Sequence, residues 1–330
     1  MLPSLPRRAL SSRWSIPAAA AALALGCWAA ALTAGSVAIP VDTLWRVLTG
    51  EESGIARKVL LELRLPRAAA AFFAGGLLAV SGALIQVLLR NPLGDPYVLG
   101  ISGGAAVLAL ASIALGFGGW WLEGGAFAGA MGSMFLVFSL AARGGNLSPP
   151  RLLLTGVIVG AAWSAVIALI LSLAPDARLR GMLFWLIGDL SGAVTALPAA
   201  LALAAGLLLT MFFAKDMNVL ARGELAAASL GVHVPLVHYV IYFGSALMTA
   251  ASVTTAGTVG FVGLVMPHLL RLLGISDMRL LLPTAALGGG TLLLAADTLA
   301  RTMFAPQQLP VGVVTALIGV PVFLYLMRRR

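Results

Sequence analysis

Uncharged stretches about 20 residues long recur along the whole chain, the length an α-helix needs to cross a hydrocarbon layer of ~30 Å. Ten are legible, over residues 16–35, 68–88, 98–118, 124–142, 152–173, 194–213, 235–256, 257–273, 280–300 and 309–327. Two are poorly delimited. The stretch 225–270 carries no formal charge and is long enough for two spans, divided at Ala256 and Gly257, and the ninth segment carries Asp297 near its end. The pattern predicts an all-α, polytopic membrane protein of about ten transmembrane helices, with residues 1–330 forming a single domain.

Composition strengthens this reading. Hydrophobic residues make up 60% of the 330 positions and charged residues 10%, whereas a soluble domain is about 45–50% apolar and about 25% charged. A water-soluble globule is excluded. The 21 Lys+Arg exceed the 12 Asp+Glu, giving +9. They stand singly or in small groups between apolar runs, unlike the aromatic-interleaved basic face of a nucleic-acid binder. They read as topology charge, with lipid and not nucleic acid as the partner.

With ten spans both termini share one side. Taking that side as cytoplasmic puts thirteen basic residues inside and eight outside, the direction of the positive-inside bias. The outside cluster over residues 57–67 runs against the bias and asks for a function. Arg7 and Arg8 before an Ala/Leu run ending near Cys27 mimic a signal peptide. A secretory apolar region spans about 7–15 residues, and this one continues unbroken past Cys27, so a first transmembrane helix is expected.

Enzymatic signatures are missing. Lys58 and Lys215 are the only lysines, and neither follows a glycine-rich loop, so no phosphate-binding loop for ATP exists. A lone Cys27 excludes an internal disulfide and a Cys-rich metal site. His233, His238 and His268 form no His-Glu-x-x-His pair, and no Gly-x-Ser-x-Gly elbow is present. His233 and His238, five residues apart, would point about 140° apart on a helix. No catalytic residue, bound metal or bound cofactor is expected, and the three histidines read as structural.

Small residues and breakers carry more information. Gly125 and Gly129, Gly156 and Gly160, and Gly188 and Gly192 have the four-residue spacing that allows close helix approach. Arg90-Asn91-Pro92-Leu93-Gly94-Asp95-Pro96 cannot continue a helix and predicts a structured turn. Residues 215–231 are amphipathic and too polar at their start to span, with Gly223 near the middle and Gly231 at the end. Two short helices bent at Gly223 are predicted.

At these residues the chain resembles the permease subunits of type II ATP-binding-cassette importers, the FecCD-like family handling iron–siderophore complexes, heme and vitamin B12. The resemblance runs through Arg64-Leu65-Pro66-Arg67, residues 82–86 and 90–105, Arg151 to Gly156, the Gly223-Glu224 elbow, Gly260 to His268, Ala296 to Arg301 and Leu309-Pro310-Val311-Gly312. It implies the type II permease fold, a homodimer, two separate ATPase subunits that use ATP and Mg, and a periplasmic binding protein. The elbow, through Asn218, Ala221, Arg222, Gly223, Glu224 and Leu230, would meet the ATPase; Arg222 stands where an apolar residue is common. Arg64, Arg67 and Arg301 correspond to arginines that dock the binding protein. Asn91 and Leu93 correspond to a cytoplasmic constriction, whose hydroxyl-bearing partner is replaced here by Pro149 and Pro150.

Pro267 is expected to kink its helix, with His268 packing beside it. Asp297 and Arg301, four residues apart, predict a helix-face ion pair. The cargo stays open among cobalamin, heme and ferric siderophore, with a slight lean to a corrinoid from residues 95–100 and 188–192. The alternative from another class is a proton-coupled secondary transporter using Asp189, Asp297 and His268.

Overall fold

The computed structural model describes residues 8–35, 39–51, 54–142 and 148–328; of the charges counted above, Arg7, Glu52, Arg143, Arg329 and Arg330 lie outside them. Among the described residues there are helices and no strands. Helix α1 (Arg8–Thr33) is followed by the short α2 (Val41–Thr49) and α3 (Ile55–Lys58), then a π-helical stretch, Val59–Arg64, that runs straight into α4 (Leu65–Leu88). A 3₁₀ turn (Pro96–Leu99) precedes α5 (Ile101–Leu115), α6 (Trp120–Ala141), α7 (Pro149–Leu173), α8 (Asp176–Ile187) and α9 (Leu197–Phe212). The chain continues through α10 (Ala214–Leu220), α11 (Glu224–Ser229), α12 (Val234–Ala256), α13 (Val262–Leu272), α14 (Met278–Thr302) and α15 (Val311–Arg328).

Each of the ten expected segments holds a helix. Six are long and apolar enough to span outright, α9 joins α10 through a 61° bend, and α5, α13 and α15 are shorter apolar helices. Two segments start later than their hydropathy suggests. Gly100 adopts the left-handed conformation (φ +72°), so α5 begins only at Ile101. Residues 257–261 are irregular because Gly257 (φ +68°) and Phe261 (φ +71°) both leave the helical region, so α13 begins at Val262. Its 11 residues rise only about 16 Å.

The irregular stretch makes up the difference, and its backbone groups must find partners inside the protein. The Tyr97 hydroxyl donates to the Val259 carbonyl (3.0 Å) and accepts from the Val259 N–H (2.9 Å). Thr258 donates to the Leu186 carbonyl, and the Asp189 N–H donates to Ala256 O at 2.9 Å.

Residues 176–187, between the fifth and sixth expected segments, form a further helix, α8. One expectation is corrected here. Gly188 and Gly192 are not on a helix face: Gly188 ends α8 at φ +98° and Gly192 lies in the loop beyond it.

Helix α4 is the centre of the bundle, buried from Ala74 to Leu88 and enclosed by α9, α12, α13 and α14. Between lipid-embedded helices the drive to associate is packing and hydrogen bonding rather than the hydrophobic effect, and α4 is built for both. A Cβ on Gly75 would fall on the Gly289 carbonyl of α14, and one on Gly82 would fall on the Gly263 carbonyl of α13. Ser81 Oγ lies 2.7 Å from Thr249 Oγ1 and donates to Ser245 O at 2.9 Å, while Ser252 donates to Ala74 O at 3.0 Å. Gly104 and Gly129 bring α5 and α6 together in the same way. Helices α1 and α7 are mostly unburied, and Leu154, Val157, Ile158 and Leu169 of α7 point outward.

Candidate functional site

The charged groups collect at the two ends of α4. At its N-terminal end Arg64, Arg67, Arg301 and Asp297 form one cluster. Asp297 is 1% exposed. Arg67 grips it with two nitrogens, Nε at 3.0 and 3.1 Å from the two carboxylate oxygens and Nη2 at 2.8 Å from Oδ1, and reaches Gln308 Oε1 at 2.7 Å with Nη1. Arg301, the expected partner, lies farther off, its Nε 3.8 Å from Oδ2. The main partner of Asp297 is therefore Arg67, 230 residues away, whose planar fork matches a carboxylate face.

Arg64 and Arg301 are turned to the end of α1. Arg64 Nη1 donates to Leu32 O (2.7 Å) and Thr33 O (2.9 Å), and Arg301 Nη2 donates to Ala31 O. These carbonyls belong to the last turn of α1, which lacks intrahelical donors and carries the negative end of the helix dipole. One carboxylate and one helix terminus thus offset three guanidinium groups. The arginines that the resemblance assigns to docking point inward, so the outer surface meets their field more than their hydrogen-bond donors.

At the other end, α4 stops in a Schellman arrangement. Asn91 N–H bonds Gln86 O (3.2 Å) and Arg90 N–H bonds Val87 O (3.1 Å), with Arg90 at φ +47° in the position glycine usually fills. Asn91 Oδ1 then accepts from the Leu93 N–H at 2.9 Å, so the two residues expected at the constriction form a single Asx turn. Pro149 and Pro150 open α7, where a missing N–H costs nothing.

Asp95 caps the 3₁₀ turn by accepting from the Tyr97 N–H at 2.8 Å. Burial pushes the Asp95 carboxyl above its ordinary value, opposed by that backbone bond. A raised acid binds its proton more tightly folded than unfolded, so this group's contribution to stability falls as pH rises from the ordinary carboxylate range through the raised value. Asp95→Asn, which keeps an acceptor, should flatten that fall in thermal unfolding recorded against pH. Asp95→Ala should lose the cap, about 1 kcal/mol, at every pH.

The expected elbow is α10 and α11, with Gly223 at φ +127° between them and Gly231 at φ +80° after them. Asn218 Nδ2 donates to Asp277 Oδ1 at 2.7 Å, and its Oδ1 accepts from the Met278 N–H at 2.8 Å, tying α10 to the start of α14. Glu224 Oε1 accepts from Arg90 Nη2 at 2.9 Å and lies 3.9 Å from His238 Nε2. Arg222, Leu225 and Leu230 are exposed, Leu225 and Leu230 at 90% and 72%, and Ala221 is exposed beside them.

Cavities sit along the bundle. One of about 650 Å³ lies between α6, α8, α9 and α12 and includes Asp189, whose carboxylate accepts from Ser191 N–H and Oγ at 2.8 and 2.7 Å. Another, of about 450 Å³, is lined by Tyr97, Gly103, Ser164, Ile167, Leu186 and Thr258. His268 is buried, its ring centroid 5.9 Å from that of Phe323, and Pro267 lies inside α13. His233 caps α12 by accepting from the Leu236 N–H at 3.2 Å. Among the described residues no group of three or more His, Cys, Asp or Glu side chains could hold a metal ion. The pairings of Arg67 with Asp297, Arg90 with Glu224 and Tyr97 with Val259 carried no local signal, because each joins elements more than 130 residues apart.

The described residues form a helical bundle of the multi-pass membrane type, sheathing one central helix and carrying a pair of short helices hinged at Gly223 at one end. The chain belongs to the FecCD transport family, whose model matches residues 23–329. It is 39% identical over 305 residues to the hemin transport system permease protein HmuU of Yersinia pestis, covering 90% of both chains. It is 40% identical over 270 residues to the vitamin B12 import system permease protein BtuC of an Escherichia coli strain, covering 81% of this chain and 82% of that one. Among solved structures, a metal-chelate type ABC transporter in an inward-facing conformation superposes with a TM-score of 0.82 at 28% identity, covering 96% of this chain and all of that one. PsaBC from Streptococcus pneumoniae, at 18% identity and a TM-score of 0.52, shares the fold. The chain is thus an ABC-importer permease subunit and not an enzyme.

Proposed function

We propose that this chain, as a homodimer in the bacterial inner membrane with both termini cytoplasmic, passes a bulky metal chelate from periplasm to cytoplasm by alternating access. Two separate ATPase subunits use the ATP and Mg, and a periplasmic binding protein delivers the cargo; this chain binds no cofactor of its own. The observation that carries the reading is family membership over nearly the whole chain, joined to relatives whose names state hemin and vitamin B12 as cargo. Cobalamin, heme and a ferric siderophore are the cargo classes.

The geometry supports a division of labour. The exposed apolar residues of the elbow, with Ala221, Arg222 and Gly223, suit a cleft in the ATPase, while Asn91 and Leu93 on the adjoining turn form the cytoplasmic constriction. Arg64, Arg67 and Arg301 leave a net positive charge at the opposite end, which steers an acidic docking partner and fixes its register. The unburied apolar faces of α7 and α15 offer surface for the second copy and for lipid.

Proteoliposomes holding this chain, its ATPase and its binding protein test the proposal. Labelled cobalamin, heme and a ferric siderophore are offered separately, with and without internal ATP. Accumulation of one compound only with ATP is expected. Accumulation that follows a proton gradient and ignores ATP would overturn it.

A further inference from the structure

Besides its packing on α9, α12 and α14, the elbow is held by polar side chains in each of its halves. Its first half, α10, is tied through Asn218 to Asp277 and Met278 at the start of α14. Its second half, α11, begins with Glu224, whose carboxylate is held by Arg90 at 2.9 Å. Gly223, at φ +127°, stands between the two halves in a conformation that side-chain-bearing residues rarely adopt. Displacement of α11 about this hinge therefore pulls on Arg90, as well as on the α12 side where His238 Nε2 lies 3.9 Å from the same carboxylate.

Arg90 is placed to hand that pull on. It is the residue immediately before Asn91, and the Schellman bonds to Gln86 and Val87 fix its backbone against the end of α4. A non-glycine residue at φ +47° is strained, and glycine would sit there without that cost. The ion pair is exposed, the two side chains at 48% and 40%, and pairs so exposed add little to stability. Neither the strain nor the pair is explained by stability alone.

We infer that the Arg90–Glu224 ion pair is the link that transmits movement of the elbow to the Asn91–Leu93 turn, with Arg90 and Glu224 acting as positioning residues. Glu224 then serves within the chain, and the ATPase is met by the exposed remainder of the elbow. This rests on the importer reading for the meaning of the movement, but the link itself belongs to the permease alone.

Two measurements test it. In the permease alone in lipid nanodiscs, on a Cys27→Ser background, spin labels at positions 93 and 228 report the distance from turn to elbow. Glu224→Gln and Arg90→Gly should each broaden that distribution, while Arg222→Gln should not; an unchanged distribution in the first two overturns the link. In the complete transporter with its ATPase and binding protein, Glu224→Gln and Arg90→Gly should lower uptake per ATP hydrolysed at least tenfold, with hydrolysis within twofold of wild type. Arg90→Gly should unfold at the same temperature as wild type or higher.

The exchanged pair Arg90→Glu with Glu224→Arg should recover at least half of the uptake. Uptake and hydrolysis falling together, or uptake unchanged in both single variants, would overturn the inference. Should the wild-type complex fail to couple uptake to ATP, the importer reading falls, and the distance measurement still decides the link.

Discussion

Asp297→Ala is expected to lower the stability of the purified permease by roughly 3–5 kcal/mol, the range for removing one partner of a buried ion pair. The carboxylate is 1% exposed and faces two guanidinium groups, with a third, that of Arg64, beside them at the end of α1. Without Asp297, Arg67 keeps only Gln308 and the cluster loses its one negative group. The decisive measurement is the thermal midpoint of the detergent-solubilised protein, followed by a tryptophan or thiol probe. Asp297→Asn should fall between wild type and Asp297→Ala, because it keeps an acceptor but not the charge. Joining Asp297→Leu with Arg67→Met should regain part of the loss, since the Arg67 guanidinium is no longer left without its acid while that of Arg301 still is. If the double variant is no more stable than Asp297→Leu alone, the pair is not what holds this end of the bundle.

The second large effect is steric. At Gly82 a Cβ would meet the backbone of Gly263, with the Gly263 Cα 2.7 Å away, and backbone cannot swing aside as a flexible side chain can. Overpacking a core by a methyl or two typically costs about 1–3 kcal/mol, and Gly82→Val should reach or exceed the top of that range. The matched control is Gly132→Val on α6, where nothing lies within 4 Å of the added Cβ. Yield of monodisperse protein by size-exclusion chromatography is the readout: Gly82→Val should lose most of it and Gly132→Val should keep it. Equal yields would mean that α4 and α13 can part without consequence.

Much of this architecture was open to reading from residue order alone, and the parts that were not share one cause. The helices found in the ten expected segments and the two-helix elbow follow from local signals: runs of apolar residues, then lysine, aspartate and glycine in a stretch too polar to cross. Helix α8 was missed because 12 residues fall below the length at which an apolar run declares itself a span. The late start of α13 was missed because Phe261 adopts a positive φ that no propensity anticipates. At the sites, Asn91, Leu93, Asn218 and Glu224 could be named from motif resemblance, but not the partners that define their geometry. Periodicity carries i to i+4 relations such as Asp297 with Arg301; it carries nothing about Arg67 meeting Asp297 or Arg90 meeting Glu224, which exist only once the bundle has closed.

The enclosure of α4 has a consequence for how the protein is made. Its wrapping comes chiefly from α12, α13 and α14, which follow it in the chain by more than 140 residues. During synthesis α4 therefore enters the bilayer with its glycine and serine faces turned to lipid, long before the helices that cover them have left the ribosome. The centre of the molecule is among the earliest parts to be inserted and among the last to be completed. A nascent chain halted before α12 leaves the glycine and serine faces of α4 without the close packing and hydrogen bonds that α12, α13 and α14 supply.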